Sequence, residues 1–458
     1  MSPAAPRVLF DLSGLVQWYA FLPNPSGIQR VTEQVLSQPA LQGNSAVTFI
    51  ARALGSDRFY LIEREIVAGL VDPLRQRASV ARLRGLFAAS MRLAALTRLR
   101  REMRPIHLPY VGLGLTLTER FFESYCSGRW AAPAPPLKTL AADARYSHLV
   151  GLADFWCHQG HVDALVALKR RSGAQFIHLI HDLTAIANPQ WAHPHYGKLL
   201  ADQLERLAPA IDHWLVTSNY VGGQLASYLS HKGLPPRPVD TMPMGWPDRA
   251  RIGEGDDGAA LAKYGLRRQG FLLHVGTVEP RKNLDGLFDA LIRLRAEPAV
   301  DALPCLLVGR DGWRSETIRH RLKNDPWLAG RIRWIKDATD TDLAALYRNA
   351  RATVVPSFDE GWGLAVQESL AHGTPCIAAR VGGIPEAGRD LATYVESGDT
   401  AALAAAILRF ARDDAAVAEA RSRIAAELAA AALPTWQSSA QWIAELLQHP
   451  PVPLPQPP

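Results

Sequence analysis

The 35 residues VVPSFDEGWGLAVQESLAHGTPCIAARVGGIPEAG, at 354–388, constrain the fold of this chain more than any other stretch. A β-branched, apolar segment over 352–355 breaks at Pro356 and Ser357. Gly361 and Gly363 then bracket Trp362, and an Ala/Leu-rich segment with helical character runs on to His372 and stops at Gly373. A second short strand over 376–379 ends in a turn at Gly382 and Gly383, and Pro385 opens the next segment. The order is strand, loop, helix, strand, which is a βαβ unit. Units of this kind bind ligands where the carboxyl ends of the strands meet the helix starts.

Glu360 falls at such a place. The flanking glycines let backbone come close to a ligand, and the free amides that open the next helix can hold a phosphate. Glu368, inside that helix, can accept from the vicinal hydroxyls of a ribose, and Glu360 from those of a second sugar. The plain alternative is a pair of solvated charges beside a structural turn. The E-x7-E spacing, set in EGWGL and followed by ESLAHGTP, resembles the signature of retaining glycosyltransferases of family 4, which have the GT-B fold. That resemblance implies donor-binding roles for Gly361, Trp362, Gly363, Leu364 and Glu368. Two positions depart from the family's usual pattern: Trp362 stands where phenylalanine is usual, and Ala365 where proline is usual.

A length of 458 residues favours two domains. With 48% hydrophobic and 21% charged residues, the composition is that of a soluble globular protein, and no apolar run approaches the length that spans a bilayer. The start, MSPAAPRVLFDLS, has neither the basic lead nor the apolar core of a secretion signal, so a cytoplasmic location is expected. Cys126, Cys157, Cys305 and Cys376 are far apart and read as buried thiols, with neither a zinc site nor a disulfide framework. The net charge of +6 is unevenly spread. Arginines 75, 77, 82, 84, 92, 98, 100, 101 and 104 stand against one acid, Glu102, which leaves the rest of the chain slightly acidic. This window reads as helix whose apolar phase shifts after residue 94, either two pieces or one helix packed on different faces. It is either an insertion with solvated arginines or a contact for anionic lipid, peripheral on the inner face of the membrane. Nothing else in the chain resembles a nucleic-acid module, so no nucleic-acid partner is expected.

In chain order, a strand over 8–12 leads through a Pro/Asn/Ser-rich loop to Ser26 and to Gly27 at the entrance of a helix, GIQRVTEQVL. PSGIQRV resembles the family's N-terminal loop, which faces the donor phosphates and acceptor; a simple turn glycine is the other reading of Gly27. Strands near 46–53, 148–153, 175–180 and 214–217 alternate with helices, which means a parallel sheet. His181 and Asp182 end one of those strands, and the HDL at 181–183 resembles the family segment whose histidine approaches the donor sugar. Residues 234–255, with five prolines, read as the link between domains. A second alternating series follows, with strands at 271–275, 306–309, 333–335, 352–355 and 376–379. In GTVEPRKNLDGL, Arg281 and Lys282 can neutralise a diphosphate, and resemblance makes Lys282 the phosphate-binding lysine, with Thr277 where some members carry a second arginine. Residues 336–342 resemble the place where the family cradles the base. The segment PTWQSSAQWIAELL resembles its terminal helix, and the last residues, rich in proline, read as an extended tail.

The expected architecture is therefore α/β GT-B: a Rossmann-like acceptor domain over 1–240 with an Arg-rich insertion about 64–130, a nucleotide-sugar domain over 241–415, crossing helices over 416–448 and a tail over 449–458. The resemblance implies hexosyl transfer, mannosyl favoured, from a nucleotide-diphosphate sugar to a saccharide or lipid-linked acceptor of surface polysaccharide. No metal and no cofactor are expected. Glu360, His181 and Lys282 are the implied catalytic residues, and Arg281 joins Lys282 at the donor phosphates. Rival readings are a GT-B sugar-nucleotide epimerase or phosphorylase, and a silent scaffold tethered by its basic segment.

Overall fold

The computed structural model describes residues 7–22, 24–53, 56–93, 138–141, 145–156, 160–247 and 257–448. Cys126, Cys157, the insertion beyond residue 93, the Ala/Pro loop at 131–136, residues 248–255 of the expected link and the tail at 449–458 lie outside the described residues.

The chain forms two sheets. The first contains β1 (Val8–Asp11), β2 (Val47–Arg52), β3 (Phe59–Ile62), β4 (His148–Gly151), β5 (Gln175–Ile180), β6 (His213–Val216) and β7 (Val239–Thr241), in the order β3-β2-β1-β4-β5-β6-β7. The second contains β8 (Leu272–Val275), β9 (Cys305–Val308), β10 (Ile332–Ile335), β11 (Ala352–Val355), β12 (Cys376–Ala379) and β13 (Thr393–Val395), in the order β10-β9-β8-β11-β12-β13. Every pairing is parallel except β2 with β3. Strand order reverses between β1 and β4 in one sheet and between β8 and β11 in the other. Each reversal opens a crevice at the carboxyl ends of the strands, where doubly wound sheets hold ligands.

The central strands form because they are apolar along most of their length. All four residues of β1 are buried, with Val8 and Phe10 in the core on one face and Leu9 in the core on the other. Strands covered on both faces carry such continuous runs in place of alternation. The same logic hid one helix. Residues expected to form a loop fold as the helix Ser13–Phe21, in which eight of the nine are buried. Burial all round erases the amphipathic period that marks a surface helix. The arginine window begins with a single helix, Gln76–Leu93, that buries Leu83, Leu86 and Phe87 in the first core.

The segment expected to link the domains begins with β7, an edge strand of the first sheet. Met242 and Met244 belong to the first core and Trp246 to a core of the second domain, so the chain changes domain at Gly245. It returns beside the same point. The final helix, Trp436–Leu446, places Trp436, Ala440, Ile443 and Ala444 in the first core. The two crossings are tied by Trp246 N–H donating to the Pro434 carbonyl at 2.7 Å and by Ser439 Oγ donating to that of Pro243 at 2.6 Å. A Cβ on Gly245 would strike the backbone and ring of Trp436.

Candidate active site

The carboxyl edges of the two sheets face each other across a cavity of about 690 Å³. It is lined by every residue the sequence nominates: Gly27, His181, Arg281, Lys282, Glu360, Gly361, Trp362, Gly363, Leu364 and Glu368. Residues 336–340, at the place expected to hold a base, line it too.

The basic turn is built locally. Asn283 takes a left-handed conformation, φ 52°, and its side chain accepts from Gly286 N–H at 3.2 Å while donating to the Pro356 carbonyl at 3.0 Å. This bond ties the Arg281-Lys282 turn to the loop that leaves β11. The sequence reading sets these cations at phosphate and Glu360 at a sugar. Here the three are joined: Lys282 Nζ lies 2.5 Å from Glu360 Oε1, Arg281 Nη1 lies 2.6 Å from Oε2, and Ser357 Oγ donates to Oε1 at 2.8 Å. The reason is charge. Neither buried cations nor a buried carboxylate can stand alone. Burial pushes the Glu360 carboxyl up, but the opposing pull of Arg281 and then Lys282 holds it well below the usual carboxylate range.

The glycines serve close approach. A Cβ on Gly361 would collide with the His181 carbonyl of the facing domain, and Ser218 Oγ donates to the Gly361 carbonyl at 2.6 Å. Gly382 and Gly383 pack against the carbonyls of Glu360 and Gly361, and Gly383 N–H donates to the first at 2.9 Å. Gly363 sits at φ 110° at the start of the helix Leu364–Ala371, where no side chain caps the amides. Those donors remain available to an anion in the cleft. Gly27 has no left-handed backbone, and a Cβ there would make only an ordinary contact with the end of the Leu364 side chain, at 3.4 Å, across the cleft.

Glu368 accepts from the Tyr347 hydroxyl at 2.9 Å, and burial raises its pKa despite the pull of Arg30 and this bond. His181 Nε2 lies 2.8 Å from the Leu152 carbonyl, and burial lowers the ring's pKa to about 4. The ring is therefore neutral at pH 7, with Nε2–H donating to that carbonyl.

Residues 269–413 match the family described as Glycosyl transferases group 1. This segment is a group 1 glycosyl transferase domain. The O-antigen chain mannosyltransferase B of Escherichia coli is 36% identical over 154 residues, covering 34% of this chain and 40% of that protein. The D-inositol 3-phosphate glycosyltransferase of Rhodococcus opacus is 30% identical over 241 residues, 51% of this chain and 52% of that protein. The chain thus matches about half or less of the length of these curated relatives. The whole architecture is similar to that of Anabaena HepE, solved in complex with UDP-glucose, with a TM-score of 0.60 over 97% of this chain and 99% of that one at 13% identity. The fold is GT-B.

The first domain brings to the group 1 domain several residues that sequence reasoning missed. Arg30, three residues after Gly27, reaches Asp340 at 2.8 Å. Thr184 Oγ1 and Asn188 Nδ2 donate to Asp359 Oδ2 at 2.8 and 3.2 Å, and Trp191 stacks on Phe358 with ring centres 5.0 Å apart. Glu386, in the GGIPE turn of the group 1 domain, accepts from the backbone of Asn219 and Tyr220 at 2.9 and 3.1 Å and so caps the helix Asn219–His231. Each of these contacts joins residues of different domains, 166 or more positions apart, so neither local periodicity nor motif spacing marks them.

The arginine window is largely spoken for where it is described. Arg75 pairs with Asp72 at 2.5 Å, Arg82 with Glu63, and Arg84 Nε donates to the Tyr19 carbonyl at 2.7 Å. Arg77 is exposed, and the side chains of arginines 92, 98, 100, 101 and 104 lie outside the described residues. Among the described residues no helix is long and apolar enough to cross a membrane. Cys305 and Cys376 are buried, each with its thiol pushed up to about 12 by burial.

Proposed function

We propose that the protein is a retaining glycosyltransferase that moves a hexosyl group from a nucleotide-diphosphate sugar to a saccharide or lipid-linked acceptor in surface-polysaccharide synthesis. The observation that carries this reading is the Arg281–Glu360–Lys282 cluster in the cleft that also receives the uncapped helix start at Gly363. Glu360, bonded to both cations, and Glu279, bonded to Arg281, together balance their charge. An arriving diphosphate competes for the cations, which would release the Glu360 carboxylate toward the sugar hydroxyls. As the bond from sugar to diphosphate breaks, charge grows on the leaving oxygen, and Lys282, Arg281 and the helix amides would stabilise it. Neutral His181, with its Nε2–H given to the Leu152 carbonyl, would accept a hydrogen bond through Nδ1 near the sugar and would not act as an acid. Identity to the E. coli mannosyltransferase favours a mannosyl donor. Retention, independence of metal and a place on the inner membrane face belong to the same proposal.

The test is thermal stabilisation by a panel of UDP, GDP, ADP and their sugars, because a ligand of the native state raises the midpoint according to its affinity. A shift confined to one base is expected and names the donor class. Lys282→Ala and Glu360→Gln should each lower transfer by about tenfold or more while the fold is kept. Near wild-type rates in both variants would overturn the site, and no shift with any nucleotide would favour the scaffold reading.

A further inference from the structure

A line of aromatic rings runs along the cleft. Trp156, five residues past β4, meets Tyr196 with ring centres 5.3 Å apart at 63°. Tyr196 meets His193 at 4.8 Å, and His193 meets Trp313 of the other domain at 4.5 Å and 64°. All four line the cavity, and each is only partly buried. Rings that serve only packing are buried in a core, yet Tyr196 and Trp313 take part in none of the apolar cores found among the described residues. Trp313 Nε1 is shielded from solvent and meets no acceptor, although buried indole N–H groups nearly always find one.

A carboxyl group stands beside the line. Asp154, two residues before Trp156, lines the same cavity and accepts from Gln29 Nε2 at 3.2 Å. Burial, reinforced by the charge of Asp182, pushes the Asp154 carboxyl up to about 7, so it can both donate and accept near neutral pH. Asp182 in turn feels the charges of Arg281 and Glu360, which places this wall next to the charged cluster. A pyranose presents one apolar C–H face and a rim of hydroxyls. Rings beside a carboxyl group complement both, whereas a lipid chain adds no polar partner to a carboxyl already held by Gln29 and Trp156.

We infer that the ring line Trp156, Tyr196, His193 and Trp313, with Asp154, is the subsite for a saccharide acceptor, and that it is complete only when the two domains meet. The inference rests on the glycosyl-transfer reading above for its word acceptor; the recognition of a saccharide stands on the rings themselves. Because His193 and Trp313 belong to different domains, a bound saccharide favours the closed arrangement.

The experiment is saturation-transfer NMR on the full chain with methyl gluco-, galacto- and mannopyranosides and α-mannotriose, with and without UDP or GDP. A saccharide signal is expected, stronger for the trisaccharide. Tyr196→Ala and Trp313→Leu, on opposite domains, should each weaken saccharide affinity about fivefold or more while nucleotide-induced thermal stabilisation stays at the wild-type value. Three results would overturn the subsite: nucleotide binding with no saccharide binding, saccharide binding untouched by both variants, or variants that lose the nucleotide shift and so mark the rings as a base platform. Ring-dependent saccharide binding in a chain that binds no nucleotide would instead defeat the transfer reading and leave the subsite standing.

Discussion

Glu33 is a buried acid in an unusual setting. Its Oε1 accepts from the Tyr19 hydroxyl, and burial raises its pKa to about 8 against the opposing pull of that bond and of Arg30. An acid raised in the folded state keeps its proton over a pH interval in which the unfolded chain has released it. The stability it contributes is therefore complete below the ordinary value of 4.5 and is lost as pH rises through about 8. Urea unfolding of the wild type between about pH 5 and pH 8 should show stability falling, and Glu33→Gln should flatten that fall. Equal slopes for the two proteins would mean that the carboxyl is ionised in the native state. At this scale the sequence disclosed identities more readily than partners. Ten cleft residues follow from motif spacing and resemblance, but the pairing of Lys282 with Glu360 spans 78 positions and is set by the reversal of strand order between β8 and β11.

The loop after β11 owes its position to missing side chains. Gly361 lets it press on the His181 carbonyl, and the Gly382-Gly383 turn supports it from behind. Gly361→Ala should force the loop away from the first domain, at a cost of about 1–3 kcal/mol if the fold absorbs the clash. The measurements are the thermal midpoint and its shift with nucleotide; a folded variant with the full wild-type shift would show that the contact does not shape the site. Elements were legible where burial is two-sided and bounded by turn residues, as for Ala352–Val355 and Cys376–Ala379, whose limits match the expected ones. They were illegible where burial leaves no period, as in Ser13–Phe21, or where a short edge strand, such as Phe59–Ile62, lies outside the parallel alternation.

The two domains share more than a cleft. Trp436, Ala440, Ile443 and Ala444 belong to the first core although the chain reaches them only after completing the second sheet. Ending the chain after residue 434 should therefore weaken the distant first domain more than the neighbouring second one. Burial of large apolar side chains contributes roughly 1.5–3 kcal/mol each. Calorimetry should resolve an early transition that nucleotide does not shift; one transition at the wild-type midpoint would contradict this. The double crossing at Gly245 has a mechanical meaning as well. With both threads pinned at one corner, any swing of the halves about it would open the widest gap at the points farthest from the pin. Side chains that touch no substrate, Trp246 and Trp436 among them, would then govern how large a molecule the mouth admits.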